Sequence, residues 1–113
     1  MNIVVVREPI TRAQALLIAK EIYHDMVKGV IDIEQSIIAL GGEYHIYAEQ
    51  KLLEEGSRQS DVWFNVYPLR EDETWIEFTS LINVRPQAGN KSMTIEDRML
   101  RDTIRVIVER LII

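Results

Sequence analysis

The sequence predicts an α+β fold in the order β-α-β-α-β-β-α: a two-layer sandwich in which about four strands form a mixed sheet and three helices cover one face, with helices divided between both faces as the alternative. Three observations carry that reading. Apolar residues recur at helical spacing within residues 15–26, 44–52 and 100–111, and short β-branched or aromatic runs bounded by Pro, Gly or polar clusters fill the intervals. No repeat, linker or low-complexity tract interrupts the 113 residues, so one domain spans 1–113.

The first strand is the apolar run 3–6, which ends at Glu8-Pro9. Thr11-Arg12-Ala13-Gln14 then matches a capping box, and Ala15, Ile18, Ala19, Ile22 and Met26 form one stripe of a first helix that Lys28-Gly29 ends. Residues 30–34 alternate apolar with acidic, as in a half-buried strand. The register shifts at Gln35-Ser36 before Ile37-Ile38-Ala39-Leu40, which marks either a bulge or a second short strand.

Gly41-Gly42 punctuates the chain. Tyr44, Ala48 and Leu52 follow at spacings of four, so a second helix is expected from about Glu43 to Glu55, with Gly56 as its C′ residue. Two strand-like runs, 62–69 and 75–84, flank a charged turn at 70–73 and read as a hairpin. The strand breaks at Arg85-Pro86, and Leu100, Ile104, Ile107, Val108 and Leu111 stripe a last helix that begins near Thr94 or Asp97.

Thirteen Lys and Arg stand against eighteen Asp and Glu, a net charge of −5 that repels a phosphate backbone and argues against nucleic-acid binding. The charge is uneven. Residues 1–84 hold seven basic and fourteen acidic side chains, net −7, and residues 85–113 hold six and four, net +2. The basic excess reads as a solvated helix face with pairs such as Asp97 with Arg101 and Arg105 with Glu109; a phosphate-bearing ligand is the alternative. No segment approaches the ~20 apolar residues that span a bilayer, so no membrane partner is expected. The absence of cysteine excludes a disulfide framework and fits a cytoplasmic setting.

Chemistry-bearing motifs are sparse. The loop from Arg85 through Asn90, Lys91 and Ser92 puts hydrogen-bond donors beside a helix N-terminus, which makes these four the candidate site for a small anionic ligand. The competing reading is a polar turn in which Gly89 or Asn90 takes positive φ. His45 and Glu49 stand four apart on the second helix, and Asp32 and Glu34 share one side of a strand, but two ligands make no metal site and no metal motif occurs. His24-Asp25 is expected to close the first helix, where a cationic imidazole complements the dipole. No nucleophile elbow or phosphate-cradling glycine loop appears, so no catalytic residue, cofactor or metal is assigned and an enzymatic role stays undecided.

The hairpin offers a more telling pattern. Val62, Phe64 and Val66 alternate to one side, matched by Ile76, Phe78, Ile82 and Val84, and are expected under the helices. The other parity carries Trp63, Asn65, Tyr67, Trp75, Glu77 and Asn83, an aromatic and amide mixture typical of protein interfaces. With helices on the opposite face only, this surface is expected to join two copies into a homodimer; a ligand cleft and a plain solvated face are the alternatives. A third functional reading, an acidic antitoxin-like partner of a basic protein, rests on the −7 of residues 1–84.

Several long stretches occur together: Arg7-Glu8-Pro9-Ile10-Thr11, Met26-Val27-Lys28-Gly29-Val30-Ile31-Asp32-Ile33-Glu34, Ala39-Leu40-Gly41-Gly42-Glu43, and Ser80-Leu81-Ile82-Asn83-Val84-Arg85-Pro86 followed by Gly89-Asn90. The set resembles a small family of uncharacterised bacterial proteins, well represented in cyanobacteria and known as a domain of unknown function. The resemblance implies a stand-alone cytoplasmic protein and carries no reaction, cofactor or catalytic residue onto these positions. The expected function is therefore an oligomerising or protein-interaction domain of unknown biochemical activity.

Overall fold

A computed structural model describes residues 3–58, 62–78 and 97–113. In chain order these form β1 (Ile3–Val6), α1 (Arg12–Ala19), β2 (Val27–Asp32), β3 (Ile37–Gly41), α2 (His45–Glu54), β4 (Val62–Val66), β5 (Ile76–Glu77) and α3 (Arg98–Leu111), with a 3-10 turn at Glu73–Trp75. The five strands lie in the order β1-β3-β2-β4-β5, and each pairing is antiparallel. The expected mixed sheet of about four strands is thus an antiparallel sheet of five. The additional strand is β3, because the chain reverses at Gln35-Ser36 instead of bulging. Asp32 accepts a bond from the Gln35 amide at 3.1 Å, Ser36 takes the left-handed φ of +57°, and Ile31 then faces Ile38.

The two-layer arrangement is overturned. Val27 and Ile31 of β2, Ile38 and Leu40 of β3, and Phe64 and Val66 of β4 pack with Ala15 and Ala19 of α1 and with Ile104, Val108 and Leu111 of α3. The alternate residues Val30, Ile37 and Ala39 pack with Ala48 and Leu52 of α2, joined by the half-buried Trp63. Side chains alternate between faces along a strand, so α2 covers one face and α1 with α3 the other, giving three layers. The cause is local: every residue of β3 is buried, and a strand apolar at both parities needs cover on both sides.

The helix starts follow local chemistry. Thr11 Oγ1 accepts from the Gln14 amide at 3.1 Å while Gln14 Oε1 accepts from the Thr11 amide at 2.8 Å, the reciprocal cap expected, worth about 1 kcal/mol. Asp97 caps α3 by accepting from the Met99 and Leu100 amides, at 2.9 and 3.2 Å. The expected Arg105–Glu109 pair forms at 3.6 Å.

The end of α1 departs from expectation. The helix stops at Ala19, short of Ile22 and Met26, and the chain turns back through amide bonds from Tyr23 and His24 to the Ala19 carbonyl. His24, expected to close the helix, instead sits past it at φ +68°. Lys28 and Gly29 consequently lie inside β2 and do not end the helix. Gly29 is required there because the Phe64 ring of β4 lies over it: a Cβ would fall 2.6 Å from Phe64 Cζ.

Candidate functional site

Four polar side chains on the α2 face of the sheet form a connected chain. Tyr44, the extended N-cap of α2, turns the backbone so that His45 lies back on the sheet. Its imidazole stacks on Trp63, with ring centroids 4.9 Å apart and planes 12° from parallel. His45 Nε2 lies 2.9 Å from the Phe64 carbonyl oxygen and 3.0 Å from Asn65 Oδ1. Both are acceptors, so Nε2 carries the proton and donates. Asn65 Nδ2 in turn donates to Glu77 Oε1 at 2.8 Å, and the Tyr67 hydroxyl donates to Glu77 Oε2 at 3.5 Å. Asn65 and Tyr67 thus both donate to the one carboxylate. The chain ties α2 to β4 and β4 to β5 and holds these side chains in position.

Burial pushes the His45 pKa down; the bond to Phe64 opposes this, the nearby Lys28 charge adds to it, and the Asn65 bond opposes it. Burial likewise raises that of Tyr67, helped by the Glu77 charge. The stability consequence for His45 has a definite sign. Below the ordinary histidine range, about 6.5, the unfolded chain takes up a proton that folded His45 resists, so stability falls as pH drops through that value. Unfolding midpoints measured between about pH 7.5 and 5.5 should therefore decline, and His45→Gln should flatten the decline. An equally steep decline in the variant would contradict the assignment.

Asp32 is engaged elsewhere. Burial raises its pKa, but bonds from Ser57 and Gln35 outweigh that and hold the carboxyl below its ordinary value. Gln35 Nε2 donates to it at 2.7 Å and the Ser57 hydroxyl donates to the same oxygen, which pins the end of β2 to the segment after α2. Glu34 is exposed in the following turn, 3.5 Å from Arg58 Nε. His45 and Glu49 are both buried on the underside of α2. Among the described residues, no group of three or more histidine and carboxylate side chains is arranged to hold a metal ion.

Of the residues expected at an interface, Trp63, Asn65 and Glu77 do share the face that α2 partly covers, and Tyr67 joins them through Glu77. Trp75 does not. It closes the 3-10 turn, capped by Asp72 accepting from the Thr74 amide at 2.9 Å, and that turn breaks the strand alternation on which its placement rested. Its side chain is 3% exposed and packs in the cluster shared with α1 and α3, with the Arg12 guanidinium 3.8 Å from the ring centroid. The expected Asn83 of this surface, and Arg85, Asn90, Lys91 and Ser92 of the proposed anion loop, lie outside the described residues.

One surface escaped the motif search because no single residue marks it. β1 is the margin of the sheet, and among the described residues it pairs only with β3. In an antiparallel ladder every second residue of such a strand turns its N–H and C=O away from its neighbour. The strand is Ile-Val-Val-Val, without a charge, and Val4 is 36% exposed. α2 packs across β1, β2 and β3 and presents Tyr44, Ile46 and Tyr47 outward, the two tyrosine rings 6.0 Å apart.

Neither a curated protein nor a solved structure matches the chain. The stretches that suggested a family at the outset, the buried β2–β3 hairpin among them, fall inside one match that runs from residue 4 to residue 111. The chain belongs to the family described as "Protein of unknown function (DUF5674)".

Proposed function

We propose that this domain is a self-associating interaction module in which two copies join edge to edge at β1, extending the five-stranded sheet across a two-fold axis. The observation that carries the reading is the uncharged, β-branched edge strand. Proteins that stay single protect such an edge with lysine, proline or a bulge, and β1 has none of these within Ile3–Val6. A second copy is the natural occupant, because antiparallel pairing of a strand with itself is self-complementary. Four residues of ladder are too little surface for a stable contact, which needs about 1,200 Å² or more. α2, which packs against β1 as well as β2 and β3, exposes Tyr44, Ile46 and Tyr47, apolar area available to the joint.

This arrangement moves the joint from the sheet face to the sheet edge, since α2 covers much of that face. The lack of cysteine and of any helix, among the described residues, long and apolar enough to cross a membrane supports a cytoplasmic setting as part of the same reading. Val4→Lys tests the joint, because it puts a charge on the exposed position of the edge and leaves the core intact. The variant should sediment as a monomer with an unchanged far-ultraviolet spectrum. A folded Val4→Lys protein that keeps the wild-type mass would refute the β1 contact.

A further inference from the structure

At the end of the domain where α1 begins and α3 finishes lies a cleft of about 490 Å³, within the roughly 300–1,000 Å³ of small-ligand sites. Buried Trp75 and Ile112 form its floor and exposed Ile113 one wall. Two arginines and four carboxylates supply the rest, and the arginines are already committed. Arg12 lies on the Trp75 ring and donates to the Arg70 carbonyl oxygen at 2.9 Å. Arg105 donates to the Glu73 carbonyl oxygen at 3.1 Å and pairs with Glu109 at 3.6 Å.

The carboxylates are less fully used. Asp72 accepts from the Thr74 hydroxyl and amide, bonds that hold its carboxyl ionised below its ordinary range. Glu71 and Glu73 have no ion-pair partner among the described residues. Among the described residues that line the cleft, four negative charges stand against two positive around an apolar floor, with the Arg70 guanidinium, bonded to the Thr74 carbonyl oxygen, a further positive charge near Asp72. An anion entering it would meet guanidinium groups already bonded and carboxylates that repel it. A cation on a hydrocarbon stem would find both its needs met.

We infer that this cleft binds an organic cation, an alkyl-ammonium or guanidinium group whose head sits between Glu71 and Glu73 and whose stem lies along Ile112 and Ile113. The chemistry is shared by free amines and by the lysine or arginine side chain of a basic polypeptide. It is independent of the β1 contact, which lies elsewhere on the sheet.

The test is an amide and indole chemical-shift titration of the whole chain at low salt. The probes are butylguanidinium, its uncharged isostere butylurea, and a blocked arginine tripeptide. Saturable shifts centred on Trp75, Ile112 and Ile113 are expected with the two cations and not with butylurea. Binding should be about tenfold weaker in the Glu71→Gln, Glu73→Gln double variant and unchanged in Glu34→Gln, whose carboxylate lies outside the cleft. All three positions are exposed, so the variants keep the fold. The tighter of the two cationic probes identifies the source, free molecule or polypeptide. Non-saturating shifts, an equal response to butylurea, or undiminished binding in the double variant would overturn the inference.

Discussion

Trp75→Ala is expected to destabilise the domain by about 3–5 kcal/mol without changing its state of association. The indole is buried against both α1 and α3 and carries the stacked Arg12 guanidinium on one face. Truncation removes a large apolar volume from the meeting point of two helices and the sheet, and it frees an arginine that now rests on the ring. Denaturant unfolding should show the loss as a lower midpoint, with the solution mass of the wild-type protein retained wherever the variant is folded. A variant of wild-type stability that is monomeric would restore Trp75 to the surface and contradict its place in the core.

Gly29→Ala is expected to cost about 1–3 kcal/mol, far more than an ordinary exchange of glycine for alanine in a strand. The added methyl would meet Phe64 Cζ at 2.6 Å and Cε2 at 2.9 Å. Phe64 is itself fully buried and paired with Gly29 across the β2–β4 ladder, so its ring has little room to retreat. The mechanism predicts a specific coupling. Phe64→Leu alone should destabilise, but in the Gly29→Ala background it should cost less, because the smaller side chain relieves the overlap. Strictly additive losses in that cycle would mean that the steric account is wrong.

These two residues also show which parts of the fold the sequence could reveal. Local signals were sufficient for the Thr11–Gln14 cap, for α2 to within two residues, and for Asp97 as one of two candidate starts of α3. Period-two alternation correctly sent Val62, Phe64, Val66, Ile76 and Phe78 to one core. The same alternation failed one residue earlier at Trp75, because a 3-10 turn has a different period and nothing in Glu73-Thr74-Trp75 announces it. Gly29 looked like a helix terminator, since glycine commonly ends helices. Its actual role depends on a phenylalanine 35 positions away, a contact that exists only once β2 and β4 pair.

The functional surfaces were less legible for the same reason. That β1 is an edge follows from the strand order, which brings β3 between β1 and β2 and is set by the whole sheet. That Glu71 and Glu73 face the end of α3 follows from the three-layer arrangement, which only the two-sided burial of β3 hinted at. His45 and Asn65 were singled out individually, but their bond required α2 to lie over β4.

Self-association at β1 is the central functional claim, and light scattering on the purified wild-type protein tests it most directly. A dimer should give twice the 13.2 kDa of the chain, falling towards one chain mass on dilution. A mass of one chain across the whole accessible concentration range would contradict the edge-to-edge assembly.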